Sequence, residues 1–135
     1  MDSRTRQDQG NSGGRQPMSW SEIHQDRWVL VVDKPYGLPT QSGQDGGPNL
    51  FDMLREQHRY VGLHHRLDTP ASGLVLFTLH KEANRAIARG FRRHTIERTY
   101  LALVWGVPKE AEGTIRTNIG RSIKDRKIQT VYPEG

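Results

Sequence analysis

The chain has 135 residues, a net charge of +5 and no cysteine. This length allows one domain with a modest core, and no apolar run approaches the roughly 20 residues that a membrane helix needs. The lack of cysteine excludes disulfide scaffolds, thiol nucleophiles and thiolate zinc sites. We therefore expect a cytoplasmic protein with neither a signal peptide nor a membrane span.

The predicted elements begin after a polar tail. Residues 1–17 are nearly free of apolar side chains, which predicts a flexible tail. The apolar, β-branched run Trp28–Val32 predicts a strand buried on both faces, ended by a turn rich in Pro and Gly at residues 34–39. After a Gly-rich loop, Asn49 predicts the N-cap of a helix whose apolar side chains, within residues 50–54, lie on one stripe.

The middle of the chain predicts two strands and a helix. Val61–Arg66 and Gly73–Leu79 are predicted strands on either side of a turn at Asp68–Ser72. Lys81–Arg93 has the apolar spacing of a helix with one buried face, and its arginines lie mostly away from that face.

The C-terminal part predicts three further strands. Thr99–Trp105 is an apolar run, Thr114–Ile119 alternates as a half-buried strand does, and Ile128–Tyr132 is β-like. Short strands mixed with two helices predict the α+β class, with a mixed, mainly antiparallel sheet and flanking helices, in one domain over residues 18–135.

The positive charge is concentrated in the C-terminal third. Residues 1–67 carry eight basic and eight acidic side chains, residues 68–84 carry one basic and two acidic, and residues 85–135 carry eleven basic and five acidic. A basic cluster attracts polyanions because each phosphate contact releases condensed counterions. It is equally typical of an ordinary solvated surface, so charge alone leaves both interpretations open.

A guanidinium and a carboxylate lie close together at the end of a predicted strand. Asp68 stands in a tight turn, where a ligand would reach it, and Arg66 would keep it ionised, as a nucleophile requires. An Asp before x-Pro is also ordinary turn chemistry, and spacing alone favours that structural role.

Other arrangements of nearby residues do not favour a site. His64 and His65 are adjacent in a predicted strand and point to opposite faces, so they cannot chelate a metal together. A triad of Ser72, a histidine and Asp68 lacks an elbow motif. The glycines within residues 43–47 lack the Lys-Ser/Thr of a phosphate-binding loop. These residues therefore do not predict a metal site.

Three segments carry a recognisable pattern in a consistent order. His65–Asp68 is followed by Ser72–Phe77, Val31–Pro39 contains a strand and a Lys-Pro-x-Gly turn, and Arg98–Gly106 contains Tyr-Leu-Ala-Leu-Val-x-Gly. Together they closely resemble RluA-type pseudouridine synthases, over residues ~25–132.

The resemblance implies a pseudouridine synthase-like catalytic fold and an isomerase that converts uridine to pseudouridine in ribosomal or transfer RNA, without cofactor or metal. It implies that Asp68 is the essential catalytic group and that Arg66 contacts the flipped-out nucleotide and the carboxylate. Tyr100 is implied to lie in the active site, for proton transfer and packing against the base, although it is also typical of a buried strand aromatic. The basic C-terminal third would then hold the RNA backbone.

The chain departs from the family pattern in three ways. Thr69–Ala71 replaces the usual Arg-Asp-Thr. We expect the protein to lack the small N-terminal RNA-binding domain that many members carry, and family members continue past the position of Gly135. We therefore expect a catalytic fold that is incomplete at the C-terminus. The alternatives are a truncated, non-catalytic RNA-binding fragment and a remnant with neither property. The target uridine, the covalent or elimination role of Asp68 and the oligomeric state stay open.

Overall fold

The computed structural model describes residues 19–43, 46–124 and 128–132. The chain forms two compact units, residues 1–98 and residues 99–135, which we describe separately and call the first and the second unit. The predicted tail at residues 1–17 lies outside the described residues. Along the part of the chain that the structure describes, no helix has both the length and the apolar character needed to cross a membrane.

The first unit combines an antiparallel sheet with two helices, which confirms the predicted α+β class. Its strands lie in the order β1-β2-β4-β3. They are β1 (Ser21–Gln25), β2 (Val29–Lys34), β3 (Gly62–Leu63) and β4 (Gly73–Thr78). β2 pairs with β4 along its whole length, with Val29 opposite Thr78 and Lys34 opposite Gly73. This register places the start of β4 beside the end of β2.

The buried side chains of β2 alternate along the strand. Leu30, Val32 and Lys34 are fully buried, whereas the residues between them are partly buried or exposed. The predicted strand is confirmed, but the prediction that both its faces are buried was wrong. The sheet is antiparallel, and such a sheet needs only one fully covered face.

Helix α1 (Leu50–Gln57) begins where the sequence predicted. The side chain of Asn49 accepts a hydrogen bond from the Asp52 backbone N–H at 3.0 Å, which caps the first turn. Leu50 and Leu54 are fully buried and join the core of the first unit. The predicted cap and apolar stripe are confirmed.

Helix α2 (Lys81–Arg92) follows β4 and is also confirmed. None of its residues is fully buried, although Ala83, Ile87 and Phe91 on the predicted apolar face are partly covered. The helix ends with His94 at a positive φ of 54°, a backbone conformation that glycine adopts more readily than histidine does.

Several predicted strands are shorter than expected or absent. β3 comprises two residues of the predicted Val61–Arg66. In the second unit, β5 (Asn118–Arg121) pairs antiparallel with β6 (Gln129–Tyr132), so the strand predicted at Thr114–Ile119 begins later, whereas the one at 128–132 is confirmed.

The strand predicted at Thr99–Trp105 was wrong. These residues have no regular secondary structure, and Leu101, Leu103 and Trp105 are fully exposed. A strand exists only when its backbone pairs with a neighbour, and no described residue pairs with this segment. An apolar, β-branched composition is therefore not sufficient here.

Candidate active site

The loop between β3 and β4 presents Asp68 to the exterior. Leu67 is only 8% exposed and anchors the loop in the core, whereas Arg66 and Asp68 on either side are exposed. The Ala71 backbone N–H donates to the Asp68 carbonyl oxygen at 3.0 Å and closes the predicted turn. Gly73, at a φ of 128°, then leads the chain into β4. The carboxylate of Asp68 is accessible on a loop whose backbone is held.

The turn that follows β2 fixes this loop on both sides of Asp68. The Thr40 hydroxyl donates to the Leu67 carbonyl oxygen at 2.6 Å and accepts from the Leu67 N–H at 3.1 Å. The Gly37 N–H donates to the Thr69 carbonyl oxygen at 2.9 Å, in a turn where Gly37 has a φ of 84°. Thr40 is 3% exposed, so its two bonds to Leu67 lie away from solvent. The residues before and after Asp68 are therefore both held by residues 37–40.

A buried lysine lies within electrostatic range of Asp68. Lys34 is fully buried, and its ammonium donates to the carbonyl oxygens of Pro35 at 3.0 Å and Leu38 at 2.7 Å. Burial lowers the pKa of Lys34 because it disfavours the charged form, and the negative charge of Asp68 opposes that lowering. The structure thus buries a cation, held by two carbonyl oxygens, close enough to the accessible carboxylate to be influenced by its charge.

The three residues singled out by the sequence have different surroundings. Arg66 is exposed, and neither it nor Asp68 takes part in an ion pair within the described ranges. Tyr100 lies in the second unit, in the segment without regular structure, and is 62% exposed. The loop therefore carries Arg66 and Asp68 on either side of the buried Leu67 without an ion pair between them in the described ranges, and Tyr100 is described only within its own unit.

The two histidines before Asp68 have structural partners. The ring Nε2 of His64 lies 3.0 Å from the Thr78 hydroxyl, which donates to the Asn84 side-chain oxygen at 2.6 Å. Asn84 in turn donates to the Tyr60 hydroxyl. This chain of side-chain hydrogen bonds ties the start of the loop to β4 and to α2.

His65 is tied to β4 as well. Its Nε2 accepts a hydrogen bond from the Leu76 N–H at 2.9 Å, and its ring packs against Phe91 of α2 with centroids 4.6 Å apart. Burial, followed by the nearby charge of Arg98, lowers the pKa of His65. Within the described ranges, no three metal-binding side chains come together.

Sequence reasoning missed Lys34 and Thr40. The signal for Lys34 was available, because in a strand with Leu30 and Val32 on the core face the period of two places residue 34 on the same face. No local signal identified Thr40, because its partner Leu67 lies 27 residues away in sequence.

The chain resembles known proteins over most of its length. The model of the family described as RNA pseudouridylate synthase matches residues 28–134. An uncharacterised RNA pseudouridine synthase of Chlorobaculum parvum is 44% identical over 123 residues, which are 82% of this chain and 38% of that protein. The dual-specificity RNA pseudouridine synthase RluA of Pasteurella multocida is 36% identical over 97 residues, 69% of this chain and 43% of that protein.

A solved structure also matches. Human RNA pseudouridylate synthase domain containing 4 has a TM-score of 0.46 and 28% identity, over 55% of this chain and 30% of that one. The chain spans about two fifths of the length of the two bacterial relatives, 38% and 43%. The family match over residues 28–134 defines the class of protein: the chain belongs to the RNA pseudouridylate synthase family. The RluA-type resemblance predicted from its motifs is confirmed.

Proposed function

We propose that the protein isomerises uridine to pseudouridine in ribosomal or transfer RNA, with Asp68 as the catalytic carboxylate. One observation carries this proposal. In a chain that matches the family, an accessible carboxylate stands on a loop whose backbone is hydrogen-bonded on both sides to residues 37–40. We also propose a cytoplasmic location, which the cysteine-free sequence supports.

The proposed reaction is an isomerisation, with no net gain or loss of atoms or electrons. The bond between the sugar C1′ and the uracil N1 breaks, the base turns, and C1′ bonds to C5, while C5 loses a proton and N1 gains one. Breaking the first bond builds positive charge on the sugar, and a nearby ionised carboxylate stabilises or traps that charge, as in glycosidases. Asp68 is exposed enough to meet a sugar, and its rigid backbone limits how far the carboxylate moves when it does.

Two further residues serve the same reaction in this proposal. A uridine inside a helix must be extruded before its sugar is accessible, which costs a few kcal/mol. Arg66, exposed and two residues from Asp68, would hold the extruded nucleotide. Tyr100 would pack against the base and move a proton, and its hydroxyl-bearing ring is available because it is 62% exposed.

Asp68→Asn tests the role of the carboxylate. Unmodified transfer and ribosomal RNA transcripts are incubated with the full chain, and their pseudouridine content is measured by mass spectrometry. Asp33→Asn is the matched control, since Asp33 is an exposed aspartate of β2 whose side chain alternates with that of Lys34. We expect pseudouridine with the native chain and with Asp33→Asn, and none with Asp68→Asn. The RNA affinity of the three proteins should agree within about twofold, because neither substitution removes a phosphate contact.

The outcomes separate the alternatives. Product with Asp68→Asn would contradict the role of that residue. RNA binding by the native chain without any product would contradict the isomerase and favour a non-catalytic RNA-binding fragment. Neither binding nor product from a chain that unfolds cooperatively would contradict both.

A further inference from the structure

Helix α2 separates its charges from its apolar residues. At 100° per residue, its cations fall within an arc of about 120°, on the side opposite Ile87 and Phe91. These cations are Lys81, Arg85, Arg89, Arg92 and, at the C-cap, Arg93. All five are exposed. We call this surface the basic face of α2.

Part of the basic face forms a groove of about 550 Å³. Three arginines line it at intervals of four residues, Arg85, Arg89 and Arg93, together with Gly90 and Thr95. Four residues advance a helix by about 6 Å, so the guanidinium groups follow one another in a row. A row of regularly spaced cations fits a polymer that carries one negative charge per unit, as a nucleic-acid strand does.

The C-terminal end of the groove, where Thr95 lines it, is held by the way α2 ends. The Thr95 N–H donates to the Gly90 carbonyl oxygen at 3.0 Å, and the His94 N–H donates to Phe91 at 3.2 Å. Ile96 then lies over Gly90, since a methyl group on Gly90 would meet the Ile96 side chain at 2.9 Å. The chain therefore folds back against the helix at Gly90, which fixes the position of Thr95 at the open groove.

The arginines of the groove have no acidic partners within the described residues. Glu82, the acidic side chain that lines the groove, lies 3.8 Å from the His80 ring. An unpaired guanidinium is weakly hydrated and offers a planar fork that matches phosphate oxygens in a bidentate way. A phosphate would therefore displace no internal ion pair when it binds.

We propose that the basic face of α2 binds the phosphate backbone of RNA. The choice of RNA as the polyanion rests on the proposed function, whereas the site itself rests on the charge, spacing and shape of α2. None of the residues proposed to act on the uridine belongs to this face. The basic face is therefore proposed to contact the phosphate backbone and not the reacting base. Binding at this face is expected to be strongly salt-dependent and nearly independent of sequence.

The test compares two triple variants that remove the same charge. Arg85→Gln/Arg89→Gln/Arg93→Gln removes the groove arginines, and Arg27→Gln/Arg55→Gln/Arg59→Gln removes three exposed arginines elsewhere in the first unit. Each lowers the net charge of +5 by three. The affinity of the full chain for a fluorescein-labelled RNA stem-loop is measured by fluorescence anisotropy at several salt concentrations.

We expect the groove variant to bind about tenfold or more weakly, and its plot of log affinity against log salt to become shallower by about 2, since three phosphate contacts are lost. The control should weaken less than about threefold with its slope nearly unchanged. Equal weakening of both variants, or no RNA binding by the native chain, would overturn the proposal. A triple Arg→Lys variant of the groove provides a second comparison should the Gln variant unfold. It keeps the positive charge but loses the planar guanidinium that binds phosphate in a bidentate way. It should weaken RNA binding more than the same three changes at the control positions do. Failure of the proposed isomerase function is distinguishable from failure of this proposal. If the chain made no pseudouridine, the difference in RNA affinity between the groove variant and the control variant would still be expected.

Discussion

Thr40→Val removes the hydroxyl that holds the residue before Asp68 and changes little else. Valine and threonine share a β-branched shape, so the side chain still fills its buried position. What is lost is the pair of hydrogen bonds to the carbonyl oxygen and N–H of Leu67. Both groups are buried in these bonds, and a methyl group offers neither of them another partner.

The expected destabilisation follows from these two groups. A buried polar group left without a partner costs about 1–3 kcal/mol, so two of them cost about 2–4 kcal/mol after partial relaxation. Thr40→Ser is the matched control, because it keeps the hydroxyl and loses one methyl group, worth about 1 kcal/mol. The free energy of unfolding of both variants is measured by urea titration, and exchange of the Leu67 amide hydrogen is followed by NMR.

The two variants separate the hydroxyl from the packing. We expect Thr40→Val to be less stable than Thr40→Ser, with the Leu67 amide exchanging faster in the valine variant alone. Equal stability of the two variants, together with unchanged exchange at Leu67, would refute the argument that this hydroxyl holds the Asp68 loop.

Two further predictions concern histidines. Burial lowers the pKa of His64 and His65 below the ordinary 6.5. The unfolded chain therefore binds protons at these histidines more readily than the folded chain does. The free energy of unfolding should fall as the pH drops from about 7 to about 5. Urea titrations across this pH range test the prediction, and the change in the free energy of unfolding with pH should be smaller in His65→Gln. A native chain whose free energy of unfolding does not change over this range would contradict the prediction. His94→Gly should raise the free energy of unfolding by about 0.5–1 kcal/mol because it relieves the strain of a positive φ. His94→Ala keeps the β-carbon and should not raise it. Equal effects of the two variants in thermal melts would show that the strain is not the cause.

Features that depend on a few neighbouring residues were predictable from the sequence. Asn49 marked the start of α1 because its side chain caps the next turn, and the apolar spacing of Lys81–Arg93 marked α2 and its exposed cations. The turn after β2 followed from its prolines and glycine. In each case the atoms that make the decisive contact lie within one or two turns of chain.

Features that depend on distant contacts were not predictable in the same way. β1 (Ser21–Gln25) is exposed along its whole length, so it carries no apolar alternation and is a strand only because β2 offers it a hydrogen-bonded edge. Thr40 holds Leu67 across 27 residues of sequence, and no pattern near either residue points to the other. Lys34 lies between these cases: the alternation predicts its burial, but its carbonyl partners exist only once the turn has formed.

The residues of the candidate site also differ in whether local or distant contacts position them. Around Asp68 the decisive hydrogen bonds come from residues of the first unit. Tyr100 belongs to that segment, whose apolar side chains are exposed because no described strand pairs with it. The sequence motif treats Asp68 and Tyr100 alike, since both are matched by residue type and spacing. Physically they differ, because hydrogen bonds among the described residues hold the backbone on both sides of Asp68, whereas Tyr100 stands in a segment without regular structure and its role is a proposal from the motif alone.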